Sequence, residues 1–268
     1  NFDDPASGVN NTSTISNPSH TFNKKGTYNI KLVMFSCTGG KDSAMKKITV
    51  GVVAAVTGNT TLCLGDSTML TAPAGNSYLW STGATTATVK IKPSVSAVYS
   101  VIVTAGLCKD TVSVTVNVNP LPNVTVQKDT VICPGANVLI NANGAASYTW
   151  SPATGLTSTT GASVSASPSG NTTYTVTGTN VSGCKDTASV KILLYPAVTA
   201  TAGTNTTITP GNSTTLSAAG GVQYSWTPSA GLSNDKINDP VASPTVSTTY
   251  TVTVTDNNGC TATASVTI

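Results

Sequence analysis

The residue types that could carry out chemistry in this chain are few. Six Cys could form disulfides, and His20 is the only His. All ten acidic residues are Asp and all thirteen cationic residues are Lys, so Glu and Arg are absent. Acid–base or nucleophilic catalysis needs paired groups, such as two carboxylates or a nucleophile beside a His. The sequence shows no convincing pair, so we predict a protein that is not an enzyme and uses no cofactor or metal.

The chain contains three copies of one pattern, in which bulky residues keep a fixed register. Seventeen residues before each Trp lies Cys63, Cys133 or Thr209. Each copy then continues to a second Tyr, which opens an alternating run, and to a further Cys. The marker residues are Tyr78-Leu79-Trp80, Tyr148-Thr149-Trp150 and Tyr224-Ser225-Trp226, followed by Tyr99, Tyr174 and Tyr250 and then by Cys108, Cys184 and Cys260.

The composition favours an all-β fold. Ser, Thr and Val alternate in runs such as residues 111–116, a pattern typical of half-buried strands. About seven short strands with regularly spaced turns predict an immunoglobulin-like sandwich for each copy. In the second copy the strands are expected over residues 124–132, 137–141, 147–150, 162–166, 172–178 and 186–193.

The Trp and the second Tyr of each copy favour a structural interpretation. A Trp beside an alternating strand is where a sandwich buries its largest side chain, although a sugar-stacking platform is the alternative. The second Tyr is predicted to form a tyrosine corner, with its ring buried and its hydroxyl bonded to the backbone. These core predictions concern Trp80, Trp150, Trp226, Tyr99, Tyr174 and Tyr250.

Module boundaries are predicted where a strand run meets Pro or Gly. The predicted modules are residues 1–50, repeat 1 (51–119), repeat 2 (120–196) and repeat 3 (197–268). Linkers of a few residues couple neighbours semi-rigidly, so the modules are expected to form a rod. The N-terminus lacks the pattern of a signal peptide, and we interpret it as an internal start within a longer protein.

Charge and hydropathy exclude two classes of partner. The net charge is +3, and the few Lys are scattered, so no basic face for nucleic acid is predicted. The longest apolar run, near residues 51–56, is far shorter than the roughly 18 residues that a membrane span requires.

Residues 1–50 carry three motifs in order: Phe2-Asp3-Asp4-Pro5, then NPSHTF over residues 17–22, then GTYNIKLV over residues 26–33. This segment resembles the C-terminal part of a PKD domain, although Asp3 replaces the usual Gly. The resemblance implies an extracellular, non-catalytic β-sandwich and a structural role for His20.

The three repeats resemble the immunoglobulin-like modules of large Bacteroidota surface proteins, including gliding-motility adhesins and type IX secretion substrates. The phrases YTWSP (148–152), TYTVT (173–177) and GCKDT (183–187) carry the similarity. It implies an extracellular location at the bacterial cell surface. It also implies O-glycosylation where Asp precedes a hydroxyl and a small or apolar residue, at Ser43, Ser67, Thr111, Thr130 and Thr187.

Six Cys in a chain of extracellular style predict disulfides. Each of the first two repeats holds two Cys, so we predict one bond within each repeat. The predicted pairs are Cys63–Cys108 and Cys133–Cys184. Cys37 and Cys260 are then left unpaired in this chain. An upstream partner for Cys37 and a buried free thiol for Cys260 compete with bonds across modules or subunits.

Two polar segments contain oxygen ligands of the kind that Ca²⁺ prefers, at residues 234–239 and 256–259. Neither has the spacing of a known calcium loop. Because Asp and Asn are ordinary turn residues, we interpret both segments as turns.

We predict a non-catalytic structural or adhesive stalk segment of a large secreted bacterial cell-surface or filament protein. One alternative is a set of accessory spacer or targeting modules of a secreted enzyme that degrades polysaccharide or protein. Another is a subunit of an extracellular fibre. The expected partners are other modules of the same long chain, with surface glycans or other copies of itself as further candidates.

Overall fold

A computed structural model of the chain describes residues 1–22, 24–51, 54–106 and 108–268. It confirms the predicted all-β fold of tandem immunoglobulin-like sandwich modules. Two compact units are present, Asn1–Leu121 and Pro122–Ile268. The predicted boundary at residues 50–52 includes Val52, which lies outside the described residues. The division into four modules stays a prediction.

The first unit begins with 3₁₀ turns and a long hairpin. The 3₁₀ segment is Pro5–Asn11, and the hairpin strands pair antiparallel from Gly26↔Val50 to Phe35↔Lys41. A tight turn closes the hairpin, where the Gly39 N–H donates to the Ser36 carbonyl at 3.0 Å. The strands are β1 (Gly26–Phe35) and β2 (Lys41–Val50).

Repeat 1 completes the first unit with two sheets. The four-stranded sheet has the order β3-β8-β7-β5, and its first pair is parallel. The second sheet pairs β4 with β6. The strands are β3 (Thr61–Cys63), β4 (Thr68–Thr71), β5 (Ser77–Trp80), β6 (Thr88–Ile91), β7 (Ala97–Ala105) and β8 (Cys108–Asn119).

Repeat 2 opens the second unit with the same architecture. Its sheets have the orders β10-β15-β14-β12 and β13-β11-β9. The sequence predicted one first strand, but the structure divides it in two, because β9 pairs with β11 and β10 with β15. The strands are β9 (Thr125–Val126), β10 (Thr130–Ile132), β11 (Val138–Asn143), β12 (Ser147–Ser151), β13 (Ser163–Ala166), β14 (Thr172–Thr179) and β15 (Lys185–Leu194).

Repeat 3 has sheets of three and two strands, with the orders β17-β19-β20 and β16-β18. A parallel contact like that of β10 is retained in one hydrogen bond, from the Thr206 N–H to the Thr267 carbonyl at 3.1 Å. The strands are β16 (Thr214–Thr215), β17 (Gln223–Thr227), β18 (Val241–Ala242), β19 (Thr249–Thr255) and β20 (Thr261–Thr267).

Each repeat has its own hydrophobic core between its two sheets. Alternating residues of the strands point inward, as in β14 and β19, where every second residue is buried. The cores are centred on Trp80, Trp150 and Trp226. A sandwich of this kind exposes its turns and loops at both ends, and the site described next lies at such ends.

Candidate functional site

A disulfide joins two different repeats. Cys133 of repeat 2 is bonded to Cys260 of repeat 3, with 5.4 Å between their Cα atoms and a separation of 127 in residue number. Repeats 2 and 3 are therefore connected covalently twice, once through the backbone and once through this bond.

The parallel pairing of β10 places Cys133 at the junction. Thr130 lies opposite Ile192, and the Tyr195 N–H donates to the Ile132 carbonyl at 2.9 Å. Cys133 follows Ile132 directly, so it lies beside the residues with which repeat 2 ends.

A tight turn between β19 and β20 presents Cys260. The Asp256 carboxylate accepts hydrogen bonds from the N–H groups of Asn258 and Cys260, each at 2.8 Å. In repeat 2, Asn180 does the same, and its Oδ1 accepts the Cys184 N–H at 3.0 Å. The sequence analysis interpreted residues 256–259 as a turn but missed that such a turn holds a Cys, although the spacing of Asp or Asn, two residues, Gly and Cys occurs in both repeats.

The hydrogen bonds in this turn determine the ionisation of Asp256. Burial acts to raise the pKa of Asp256, but the N–H groups of Cys260 and Asn258 favour the carboxylate and outweigh burial. The pKa of Asp256 is therefore lowered, so the turn that holds Cys260 is built around an ionised Asp.

The predicted disulfide pairs Cys63–Cys108 and Cys133–Cys184 are wrong. Cys133 follows β10, at the C-terminal end of β15, whereas Cys184 precedes the first residue of β15. Ten residues of strand separate the two ends, on the order of 30 Å, whereas disulfide Cα atoms lie roughly 4.4–6.8 Å apart. The twelve residues of β8 separate Cys63 from Cys108 in the same way.

The remaining Cys also differ from the predictions in part. Cys260 was predicted to be unpaired within this chain, and a buried free thiol was one interpretation; its bond across repeats contradicts both. The same bond confirms, for Cys260, the competing interpretation of a disulfide across modules. Cys63 and Cys184 take part in disulfides. Cys37 and Cys108 are exposed free thiols. The sequence of repeat 1 lacks an Asp or Asn four residues before Cys108, at the position that organises the turns in repeats 2 and 3.

The three Trp lie in the cores and not on the surface. Trp80, Trp150 and Trp226 are between 1% and 3% exposed, which leaves no ring face for stacking on a sugar. Each indole N–H donates to a backbone carbonyl at 2.9 Å. A buried Trp with a satisfied N–H anchors a core and fixes a neighbouring loop.

The second Tyr behaves differently in repeat 1. Tyr174 and Tyr250 are fully buried, and their hydroxyls donate to the carbonyls of Thr154 at 2.8 Å and Ala230 at 2.9 Å. Burial raises the pKa of both. Tyr99 is only partly buried. The segment from Trp to Tyr is shorter in repeat 1 and does not include the loop that provides the accepting carbonyl.

His20 belongs to an aromatic cluster in the N-terminal segment. Its ring stacks on Phe2 at 4.3 Å, and its Nε2 lies 3.0 Å from the buried Asp4 carboxylate. Phe22 then contacts Tyr28, whose hydroxyl donates to the Lys24 carbonyl at 2.6 Å. Burial, followed by the charge of Asp4, raises the pKa of Tyr28. The contacts of His20 are those of a packed side chain.

The hydroxyls that follow Asp are mostly exposed. Ser43, Ser67, Thr111 and Thr187 are exposed, and Thr130 is partly buried. At three of the five positions, the Asp carboxylate accepts the N–H of the hydroxyl residue itself, at 2.7 or 2.8 Å. These three, Ser43, Thr111 and Thr187, lie near the start of β2, β8 and β15.

The two polar segments considered for Ca²⁺ form turns. Asp235 makes an ion pair with Lys236 at 3.1 Å, and the carboxylate of Asp256 accepts the backbone bonds described above. Among the described residues, no three His, Cys, Asp or Glu side chains are grouped so that they could hold a metal ion. Over the same residues, no helix is long and apolar enough to cross a membrane.

Comparisons with known proteins do not assign the chain to a family. No family model matches the chain, and a search of curated proteins found no significant match. The I-band fragment I67–I69 of titin is 12% identical, with a TM-score of 0.35, over 78% of this chain and 94% of the titin fragment. The structure of the eight N-terminal immunoglobulin domains of Down syndrome cell adhesion molecule is 14% identical, with a TM-score of 0.31. The match covers 92% of this chain and 39% of that structure. Immunoglobulin domains 1–5 of sidekick-1 are 11% identical, with a TM-score of 0.30, in a match that covers 92% of this chain and 66% of the sidekick-1 structure.

Proposed function

We propose that this chain is a non-catalytic stalk segment of a large secreted protein at the bacterial cell surface, where it spaces or presents other modules. The observation that carries the proposal is the Cys133–Cys260 bond between consecutive sandwich repeats. A bond of this kind persists in oxidising, extracellular surroundings. It fixes the repeats to each other and takes no part in a reaction centre.

Two side chains that could act in acid–base catalysis, those of His20 and Asp256, are occupied in structural contacts. His20 lies beside Asp4, and Asp256 holds a turn through backbone hydrogen bonds. These arrangements support a role in architecture. We further propose that residues 1–50 are part of a PKD-like module, which the packing of Phe2, His20 and Phe22 around Tyr28 supports.

Immunogold electron microscopy of cells that make the protein tests the location. Antibodies against the purified chain should label intact cells, and a strain without the gene is the control. Label that appears only after the cells are permeabilised would overturn the proposal. Negative-stain images of the purified chain should show single particles; fibres would instead favour the fibre-subunit alternative.

The exposed hydroxyls after Asp are proposed as O-glycosylation sites. Ser43, Thr111 and Thr187 share one local geometry, in which the preceding Asp caps their N–H and leaves the side chain in solvent. Peptide mass spectrometry of protein from the native host should find glycan at these three positions. Finding all three unmodified would remove this part of the proposal.

A further inference from the structure

We infer that the Cys133–Cys260 disulfide is a tension bypass, which carries a pulling force past the folded bodies of repeats 2 and 3. The inference rests on the proposed role as a stalk, because a stalk transmits force along its backbone. It goes beyond that role by assigning a mechanical function to one bond.

The positions of the two Cys in the chain determine the path of the force. Cys133 directly follows β10, the second strand of repeat 2, and Cys260 directly precedes β20, the last strand of repeat 3. A force that enters before β9 and leaves after β20 reaches Cys133, crosses the disulfide to Cys260 and continues. Residues 134–259 lie outside this path.

The bypassed residues include most of both cores. Trp150 and Trp226 belong to this part, as do the buried Tyr174 and Tyr250. Strands β11 to β19 lie wholly within it. Only β9, β10 and β20 can be pulled out while the bond is intact, so neither repeat can be extended as a whole.

The structure protects the bond itself. Cys260 is only 2% exposed, and Cys133 is partly buried. The turn around Asp256 holds the Cys260 backbone, and β15 holds the strand that leads to Cys133. By contrast, Cys108 occupies the position equivalent to Cys260 in repeat 1 and is an exposed free thiol.

Single-molecule force spectroscopy on the full chain tests the bypass. Handles are attached at Asn123, which is exposed, and at the C-terminus, through an unnatural amino acid so that no thiol is used. The gain in contour length on complete unfolding is measured with and without dithiothreitol, which supplies two electrons and two protons to convert the disulfide to two thiols. The bond shortens the path between the handles by a sequence separation of 127. The gain in contour length of the oxidised chain should therefore be about 440 Å smaller than that of the reduced chain, at roughly 3.5 Å per residue.

Two variants complete the experiment. Cys133→Ala with Cys260→Ala should give the long extension without reductant, and Cys108→Ser, which removes a free thiol, should behave as the wild type. If the double variant fails to fold, the wild-type comparison with and without reductant remains decisive. Equal extension of the oxidised and reduced wild-type chains would overturn the bypass. Immunogold labelling tests the location separately, so the two failures can be told apart.

Discussion

At the residue scale, the second Tyr of each repeat shows how a short loop changes the role of a side chain. Tyr174 donates its hydroxyl to a carbonyl twenty residues earlier, in the loop that follows Trp150. Tyr250 repeats this contact in repeat 3. Repeat 1 has the same Tyr on the same strand but a shorter loop, so Tyr99 stays partly exposed.

We predict that Tyr174→Phe destabilises repeat 2 by about 1 kcal/mol, because the hydrogen bond from the Tyr174 hydroxyl to the Thr154 carbonyl is lost. Tyr99→Phe is the matched control, and it should change the free energy of unfolding by less than about 0.5 kcal/mol. Urea denaturation of both variants measures the difference. Equal effects at the two positions would contradict the role of the loop.

Gly155 lies in the same loop and gives a second prediction. Its φ is +76°, and an added Cβ would lie 2.9 Å from the Tyr174 hydroxyl and from the Ser167 carbonyl. Gly183 also has a positive φ, of +81°, but an added Cβ would meet no atom within 4 Å. Gly183→Ala should therefore cost about 1–2 kcal/mol for backbone conformation alone.

Gly155→Ala should cost clearly more than Gly183→Ala, because steric overlap adds to the backbone term. Thermal unfolding of the two variants, each compared with the wild type, provides the measurement. If Gly155→Ala were no more destabilising than Gly183→Ala, the close packing of this loop on Tyr174 would be refuted.

At the element scale, the strands were predictable but their partners were not. Alternation of Thr with apolar residues located β14 and β15 within one or two residues of their observed ends. The first predicted strand, residues 124–132, is two strands in different sheets. Asp129 lies between them, and its carboxylate accepts a hydrogen bond from the Lys191 N–H at 2.8 Å. Local periodicity reports burial, whereas a change of sheet depends on partners some sixty residues away.

The β19–β20 turn gives a prediction about acid stability. The pKa of Asp256 is lowered in the folded state by hydrogen bonds from Cys260 and Asn258, which outweigh the effect of burial. A lowered carboxyl pKa stabilises the fold at pH values above the unfolded-state value of about 3.9. This contribution should be lost as the pH falls through the lower folded-state pKa.

Asp256→Asn separates charge from geometry. Repeat 2 builds the equivalent turn with Asn180, so the amide oxygen should keep both backbone hydrogen bonds. The variant should lose less stability than the wild type between pH 6 and pH 2.5, measured by calorimetry. Asp256→Ala is the control for geometry and should be less stable than both at neutral pH. The same acid dependence in the Asn variant and the wild type would contradict the assignment.

At the scale of the whole molecule, the sequence indicated which Cys belong to each repeat but not which of them form disulfides with each other. Two Cys per repeat suggested one bond per repeat. The parallel pairing of the first and last strands puts these Cys at opposite ends of a long strand, β8 in repeat 1 and β15 in repeat 2. In repeat 2, the end of the sandwich that carries Cys133 lies beside Cys260 of repeat 3, so the bond forms between repeats. The sign of this in the sequence was that Cys260, like Cys37, has no partner within its own module.

The cross-repeat bond should contribute substantially to the stability of the second unit. Closing a loop of 127 positions corresponds to about 5 kcal/mol in the chain-entropy treatment of disulfides. Cys133→Ala with Cys260→Ala should lower the melting temperature of repeats 2 and 3, because the unfolded chain regains this freedom. The matched control is Cys37→Ser with Cys108→Ser, which changes two exposed free thiols and should leave the melting temperature nearly unchanged.

Non-reducing peptide mapping of the wild type should recover the Cys133 peptide linked to the Cys260 peptide. Recovery of a Cys133–Cys184 peptide, or equal melting of the two double variants, would contradict the covalent link on which the bypass depends.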